Sequence, residues 1–157
     1  MEKKANNEDK IMWKVMIVDD EKLICKLVQA LVEWDKLGMQ MAAQAENAIQ
    51  ALDMLQQYRP DILITDIRMP GMDGLELIKN AKKICPELEI IIISGYAHFE
   101  YARNALSLGV GNYLLKPIKQ DELNETLRKI GERLDAKKSA QGMEMAERRV
   151  SESAVSY

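Results

Sequence analysis

ILITDIRMPGMDG, residues 62–74, passes from a β-prone run to an acid, Asp66, and then directly into turn residues. A short apolar run bounded in this way reads as a buried strand of a parallel sheet. The same pattern recurs on both sides of it. VMIV (15–18) ends on Asp19 and Asp20, IIII (90–93) on Ser94, and YLL (113–115) on Lys116. Parallel sheets bind ligands outside the carboxyl ends of their strands. Three carboxylates, a hydroxyl and an ammonium are therefore expected in one crevice.

The intervals between these runs carry helical spacing. Helices are expected over Glu21–Glu33, Asn47–Tyr58, Leu75 to about Lys83, about Phe99 to Leu108, and about Gln120 to Leu134, with a weak strand MQMAAQA at 39–45. The first helix has a stripe of Leu27, Val28 and Leu31, and the second one of Ala48, Ala51, Leu52 and Leu55. Asn47 suits an N-cap, and Arg59, preceding Pro60, must leave the right-handed helical region. Five βα units predict an α/β, doubly wound, five-stranded parallel sheet with helices on both faces. A flavodoxin-like order 2-1-3-4-5 would set strand three beside strand one.

The expected organisation is a flexible N-terminal arm over residues 1–12, one domain over 13–135, and a linker or tail over 136–157. In the last helix Leu123, Leu127, Ile130 and Leu134 repeat at coiled-coil spacing, but the next positions are Lys137 and Gln141. The stripe is therefore expected to pack on the sheet. Gly131 within it costs about 1 kcal/mol relative to alanine.

A net charge of −3 argues against a broad nucleic-acid surface. No apolar run approaches a membrane span, and the polar start MEKKANNEDK lacks the apolar core of a signal peptide. Cys25 and Cys85 form no CxxC pair, which speaks against zinc or a disulfide framework and for a reducing, cytoplasmic setting. Cys25 sits among apolar positions as a core thiol, and the lone His98 cannot supply a His-rich metal site.

The acidic pair Asp19-Asp20 alone could be solvated or could cap the next helix. Asp66 beside it alters the balance, because two carboxylates about 4 Å apart repel by roughly 4 kcal/mol at an effective dielectric of 20. The cluster needs a cation, and an all-oxygen donor set fits Mg2+. Lys116 adds positive charge from the other side and Ser94 a hydroxyl, so an anionic phosphoryl group would be held from two directions. Asp66 could then be a nucleophile forming an aspartyl phosphate. Gly71 and Gly74 read as turn residues, and Gly95 as a residue that removes bulk from the site rim.

VDDE (18–21), DIRMPGMDG (66–74), IISG (92–95) and YLLKP (113–117) together resemble the receiver domains of two-component response regulators over residues 14–135. The resemblance implies that Asp66 is the phosphoacceptor, served by a sensor histidine kinase. It also implies Mg2+ held by Asp20, Asp66 and the Arg68 backbone carbonyl, with Asp19 acting through water. Ser94 and Tyr113 become the switch residues, Lys116 the phosphate contact, and Lys116-Pro117 a cis bond. Arg68 and Tyr96 occupy positions that influence phosphate lifetime. The family more often has threonine where Ser94 stands.

The expected role is a phosphorylation-controlled switch, not an enzyme beyond its own phosphorylation and dephosphorylation. The responding surface would be the fourth helix (about Phe99–Leu108), the fifth strand and the fifth helix, which would pair into a homodimer or bind an output domain. The stretch from Ser94 to Ile118 is most similar to receivers of AraC-type DNA-binding regulators. Too few residues follow Leu134 for that domain, so DNA would be reached only through a part absent from this sequence. A free-standing receiver is the alternative. A receiver-like module that never takes phosphate is disfavoured by the complete residue set. So is a Mg-dependent phosphatase, because the residue two beyond Asp66 is Arg68 where the haloacid dehalogenase pattern needs a second acid.

Overall fold

Along each central strand, alternate side chains enter two separate cores. Met16, Val18, Leu63, Ile90 and Ile92 face one way, and Val15, Ile17, Ile62, Ile64, Ile91 and Ile93 the other. Only a sheet covered on both faces gives its central strands two buried sides. The computed structural model describes residues 12–95, 103, 104, 107 and 109–155, with side chains up to residue 147. Its strands are β1 (Trp13–Val18), β2 (Met39–Ala45), β3 (Ile62–Asp66), β4 (Glu89–Ser94) and β5 (Asn112–Leu115). Its helices are α1 (Lys22–Leu31), a helical turn Trp34–Leu37, α2 (Ala48–Tyr58), α3 (Gly74–Ile84) and a C-terminal helix (Gln120–Val155).

All strand pairs are parallel and the order is β2-β1-β3-β4-β5, the flavodoxin-like topology expected from the sequence. Helices α2 and α3 cover one face through Ala48, Ala51, Leu55, Leu77, Ile78 and Ala81. On the other face lie α1 and the C-terminal helix, through Cys25, Val28, Leu123, Leu127, Ile130 and Leu134. The 4,3,4 stripe of the C-terminal helix thus packs on the sheet. Gly131 lies within this contact, where a Cβ would stand 3.2 Å from the Met39 Cε, so glycine lets the helix approach β2.

Several details differ from the sequence-based expectation. The buried side of α1 is Cys25 and Val28, flanked by the partly buried Ile24 and Leu31, whereas Leu27, about 100° round the helix from Val28, is 41% exposed. Arg59 does leave the right-handed region, but into the left-handed one (φ 47°), where its amide caps α2 by donating to the Leu55 carbonyl. Its guanidinium donates to the Ile84 carbonyl, so the same residue also closes the end of α3. The last helix continues past Leu134 to Val155, with every side chain from Asp135 to Glu147 exposed. The expected arm up to residue 11 and the residues Tyr96 and His98 lie outside the described residues, as does most of the expected helix Phe99–Leu108.

Candidate functional site

The strand register sets which chain ends meet. Val18 pairs with Thr65, Asp66 with Ile93, and Ser94 with Leu115, so the residues at the carboxyl ends of β1, β3, β4 and β5 share one rim of the sheet. Asp19 extends this rim, its amide donating to the Ala45 carbonyl at 3.2 Å, and Lys116 does so by donating its amide to the Ser94 carbonyl at 2.8 Å.

Asp66 is 7% exposed and its two oxygens have different neighbours. Oδ1 accepts from the amides of Ile67 (2.7 Å) and, more weakly, Arg68 (3.4 Å). Oδ2 lies 3.2 Å from the Lys116 ammonium, which also stands 3.4 Å from Asp19 Oδ2. Asp19, 2% exposed, uses Oδ1 to accept from the Glu21 amide at 2.9 Å, which fixes the bend into α1. The neighbouring Asp20 is exposed. Carboxylate oxygens of Asp19, Asp20 and Asp66 all lie within 4.8 Å of one another.

The electrostatics of this cluster are unfavourable as it stands. Burial, with the Asp66 charge adding to it, pushes Asp19 up from 3.8 to about 6, although the Glu21 amide and Lys116 pull the other way. Partial burial of Lys116 works against its charge, but Asp19 and Asp66 together raise its pKa overall. Three carboxylates against one ammonium leave room for a further cation. The donors are oxygens with one member open to solvent, which fits a hard divalent ion that keeps part of its water shell. The nearby Cys25 thiol does not compete: it is fully buried and pushed up to about 11, chiefly by that burial, so it stays protonated and inert.

Ser94 is buried at the end of β4, its Oγ donating to the Gly95 carbonyl at 3.1 Å. Tyr113 lies half-buried on the edge strand β5, packed against the core beneath α2 and α3. Arg68 follows in the loop with an exposed side chain. The Lys116-Pro117 bond is cis.

Two residues of the loop after Asp66 matter more than turn propensity suggested. A Cβ on Gly74 would fall 2.3 Å from the Asp66 carbonyl oxygen and 2.7 Å from Ile67 Cα. The Gly74 amide donates to the Ile67 carbonyl at 2.7 Å, so only glycine lets α3 start against the backbone that carries Asp66. Asp73 caps that helix by accepting from the Glu76 amide at 3.0 Å, a role readable from an acid just before the apolar-periodic segment LELI. Gly71 adopts φ 81°, a plain turn requirement. A Cβ on Gly95 would meet nothing within 4 Å among the described residues, so packing against them does not by itself demand glycine there.

Comparison with known proteins agrees with this geometry. Residues 15–128 match the family model of the response regulator receiver domain. The uncharacterized transcriptional regulatory protein YesN of Bacillus subtilis is 40% identical over 119 residues, covering 76% of this chain and 32% of that protein. An uncharacterized response regulatory protein of Staphylococcus epidermidis, SERP2406, is 35% identical over 78% of this chain and 48% of its own length. The chain thus spans a third to a half of these curated relatives. Among solved structures, the receiver domain of AraT from Geobacillus stearothermophilus superposes with a TM-score of 0.78 at 38% identity, covering 81% of this chain and 98% of that one.

Proposed function

This chain belongs to the response regulator receiver family, and on that premise we propose that it is a switch set by phosphorylation of Asp66. The observation that carries the reading is the pairing of Asp66 and Asp19 across one lysine, beside an exposed third acid, at the carboxyl rim of the sheet. Asp66 Oδ1 is occupied by two backbone amides, which leaves Oδ2 to attack phosphorus. The new O–P bond forms as the P–N bond of a phosphohistidine on a sensor histidine kinase breaks, and the imidazole leaves with a proton. Asp20, Asp66 and the Arg68 carbonyl, with Asp19 through water, would hold Mg2+, which supplies charge neutralisation for the transferring group.

Once phosphorylated, Asp66 no longer offers Oδ2 to Lys116, and the ammonium moves onto a phosphoryl oxygen. The Ser94 hydroxyl turns from the Gly95 carbonyl to the same group, vacating the space into which Tyr113 rotates. Positioning and charge do this work, so the protein serves as phosphoacceptor and not as a turnover enzyme.

The responding face we propose comprises the segment expected as a helix from the sequence (about Phe99–Leu108), β5 and the start of the C-terminal helix, and it would pair with a second copy or an output domain. The transcriptional regulatory protein YesN and a two-component transcriptional regulator AraC from Clostridium phytofermentans, the latter 35% identical with a TM-score of 0.70, support reading the chain as part of a transcription regulator, for which we propose an AraC-type output and a cytoplasmic setting. DNA would be contacted by another part of such a protein. Among the described residues no helix is long and apolar enough to cross a membrane.

The test is intact mass after incubation with acetyl phosphate and Mg2+. A species heavier by about 80 Da, the mass of one phosphoryl group, is expected in the wild type and absent from Asp66→Asn. No such species in the wild type, or an undiminished one in the variant, refutes the assignment.

A further inference from the structure

The C-terminal helix is 36 residues long, but its buried stripe ends at Leu134. What sets the direction of the remainder is not an apolar face. Met143 and Met145 are 70% and 59% exposed, and two residues apart on a helix they point about 200° away from each other. No single seam collects them, and Gly142 stands between turns where it weakens the helix. The exposed part buries no apolar face of its own, so its direction relative to the body depends on where it is rooted.

At that root, four contacts converge within a turn and a half. Trp13 Nε1 donates to Asp135 Oδ1 at 2.8 Å, and the Lys138 ammonium lies 5.8 Å from the centre of the same indole ring. Arg133 pairs with Glu89 at 3.2 Å and Lys137 with Glu87 at 3.2 Å. These partners come from three places in the body: the first residue of β1, the first residue of β4 and the turn before it. Exposed ion pairs are individually weak, but anchors on separate elements fix both the tilt and the rotation of the helix. Trp13 lies at the opposite end of β1 from Asp19, so these contacts stand apart from the acidic crevice.

We propose that Trp13, with Asp135 and Lys138, is a clamp that makes the receiver body and the exposed helical extension one rigid unit. Any module joined to the extension then inherits a fixed orientation relative to the body. Trp13 acts here as a positioning residue, holding the first exposed turn at two points on one face, Asp135 and Lys138.

Hydrogen exchange read by mass spectrometry tests this on the full chain. The comparison is between wild type, Asp135→Ala and Trp13→Phe, the last keeping an aromatic ring for Lys138 while removing the N–H. Alanine is the better helix former, so a helix stabilised only locally predicts increased protection over residues 136–147 in Asp135→Ala. The clamp predicts the opposite: protection there falls at least fivefold in both variants, while the amides of β1, β3 and β4 keep theirs. Nitroxide labels on Gln57→Cys and Glu147→Cys in a Cys85→Ser background should give a narrow distance distribution that widens at least twofold with Trp13→Phe. Unchanged protection and width in both variants, or a wild-type extension that already exchanges freely, overturns the proposal.

Discussion

Replacing Asp19 with asparagine should stabilise the metal-free protein at neutral pH. Asparagine keeps an Oδ1 acceptor for the Glu21 amide and nearly the same volume, so the perturbation is one charge. Burial beside Asp66 raises Asp19 from 3.8 to about 6. Because the folded value lies above the unfolded one, the native state binds the proton more tightly. Its contribution to stability is fully present below about 4 and is lost as pH rises through about 6. The rise corresponds to roughly 3 kcal/mol between the two limits. That figure already contains the opposing pull of Lys116; discounted for solvent screening at the rim of the site, the expected gain is on the order of 1–2 kcal/mol at pH 7.5.

Urea unfolding followed by circular dichroism in chelator reads it directly. The variant should be the more stable at pH 7.5, and the difference should shrink toward zero as pH falls below about 4.5 and Asp19 protonates. With 10 mM Mg2+ the order should reverse, because the wild type gains stabilisation from the bound ion and the variant gains less. A metal-free wild type at pH 7.5 that equals or exceeds the variant would show that the cluster is not electrostatically frustrated, and the reasoning would fall.

Three further outcomes are expected. Gly74→Ala should cost about 1–3 kcal/mol by overpacking and lower phosphorylation from acetyl phosphate by displacing Asp66, whereas Gly95→Ala, with open space around it, should leave stability within about 0.5 kcal/mol; equal effects would contradict the contact geometry. A thiol reagent should react in the native state with Cys85, which is half-buried, and reach Cys25 only after unfolding; a native-state adduct on Cys25 would mean that α1 opens readily. Leu127→Ala should cost about 2–5 kcal/mol in thermal or urea unfolding, as a buried leucine between helix and sheet, and a cost under 1 would place the helix off the sheet.

The strands and the site were legible because both depend on local sequence. Apolar runs of fixed length predict strands, and the residue that ends each run must lie at the same rim whenever the sheet is parallel. Helix faces were less legible. Leu27 is as apolar as its neighbours, and only the docking of Ile24, Cys25, Val28 and Leu31 on the sheet leaves it outside. The role of Gly74 was hidden because closeness to Asp66 is a tertiary fact, and the residue looks like any turn glycine until α3 is docked. The extension of the last helix beyond Leu134 carries no apolar pattern to announce it. It grows from a turn already nucleated by buried leucines, which removes the initiation cost that an isolated segment would bear.

The division of the interior into two cores separated by a single sheet has a practical reading for anyone altering this protein. Among the described residues, the buried side chains beneath α2 and α3 form one cluster and those beneath α1 and the C-terminal helix another, with the strand backbones between them. Substitutions such as Leu77 on one side and Leu127 on the other should therefore combine additively, to within about 0.5 kcal/mol. Either half can be redesigned for hardiness while the other serves as an internal control, and a pair that fails to add would betray motion passing through the sheet itself.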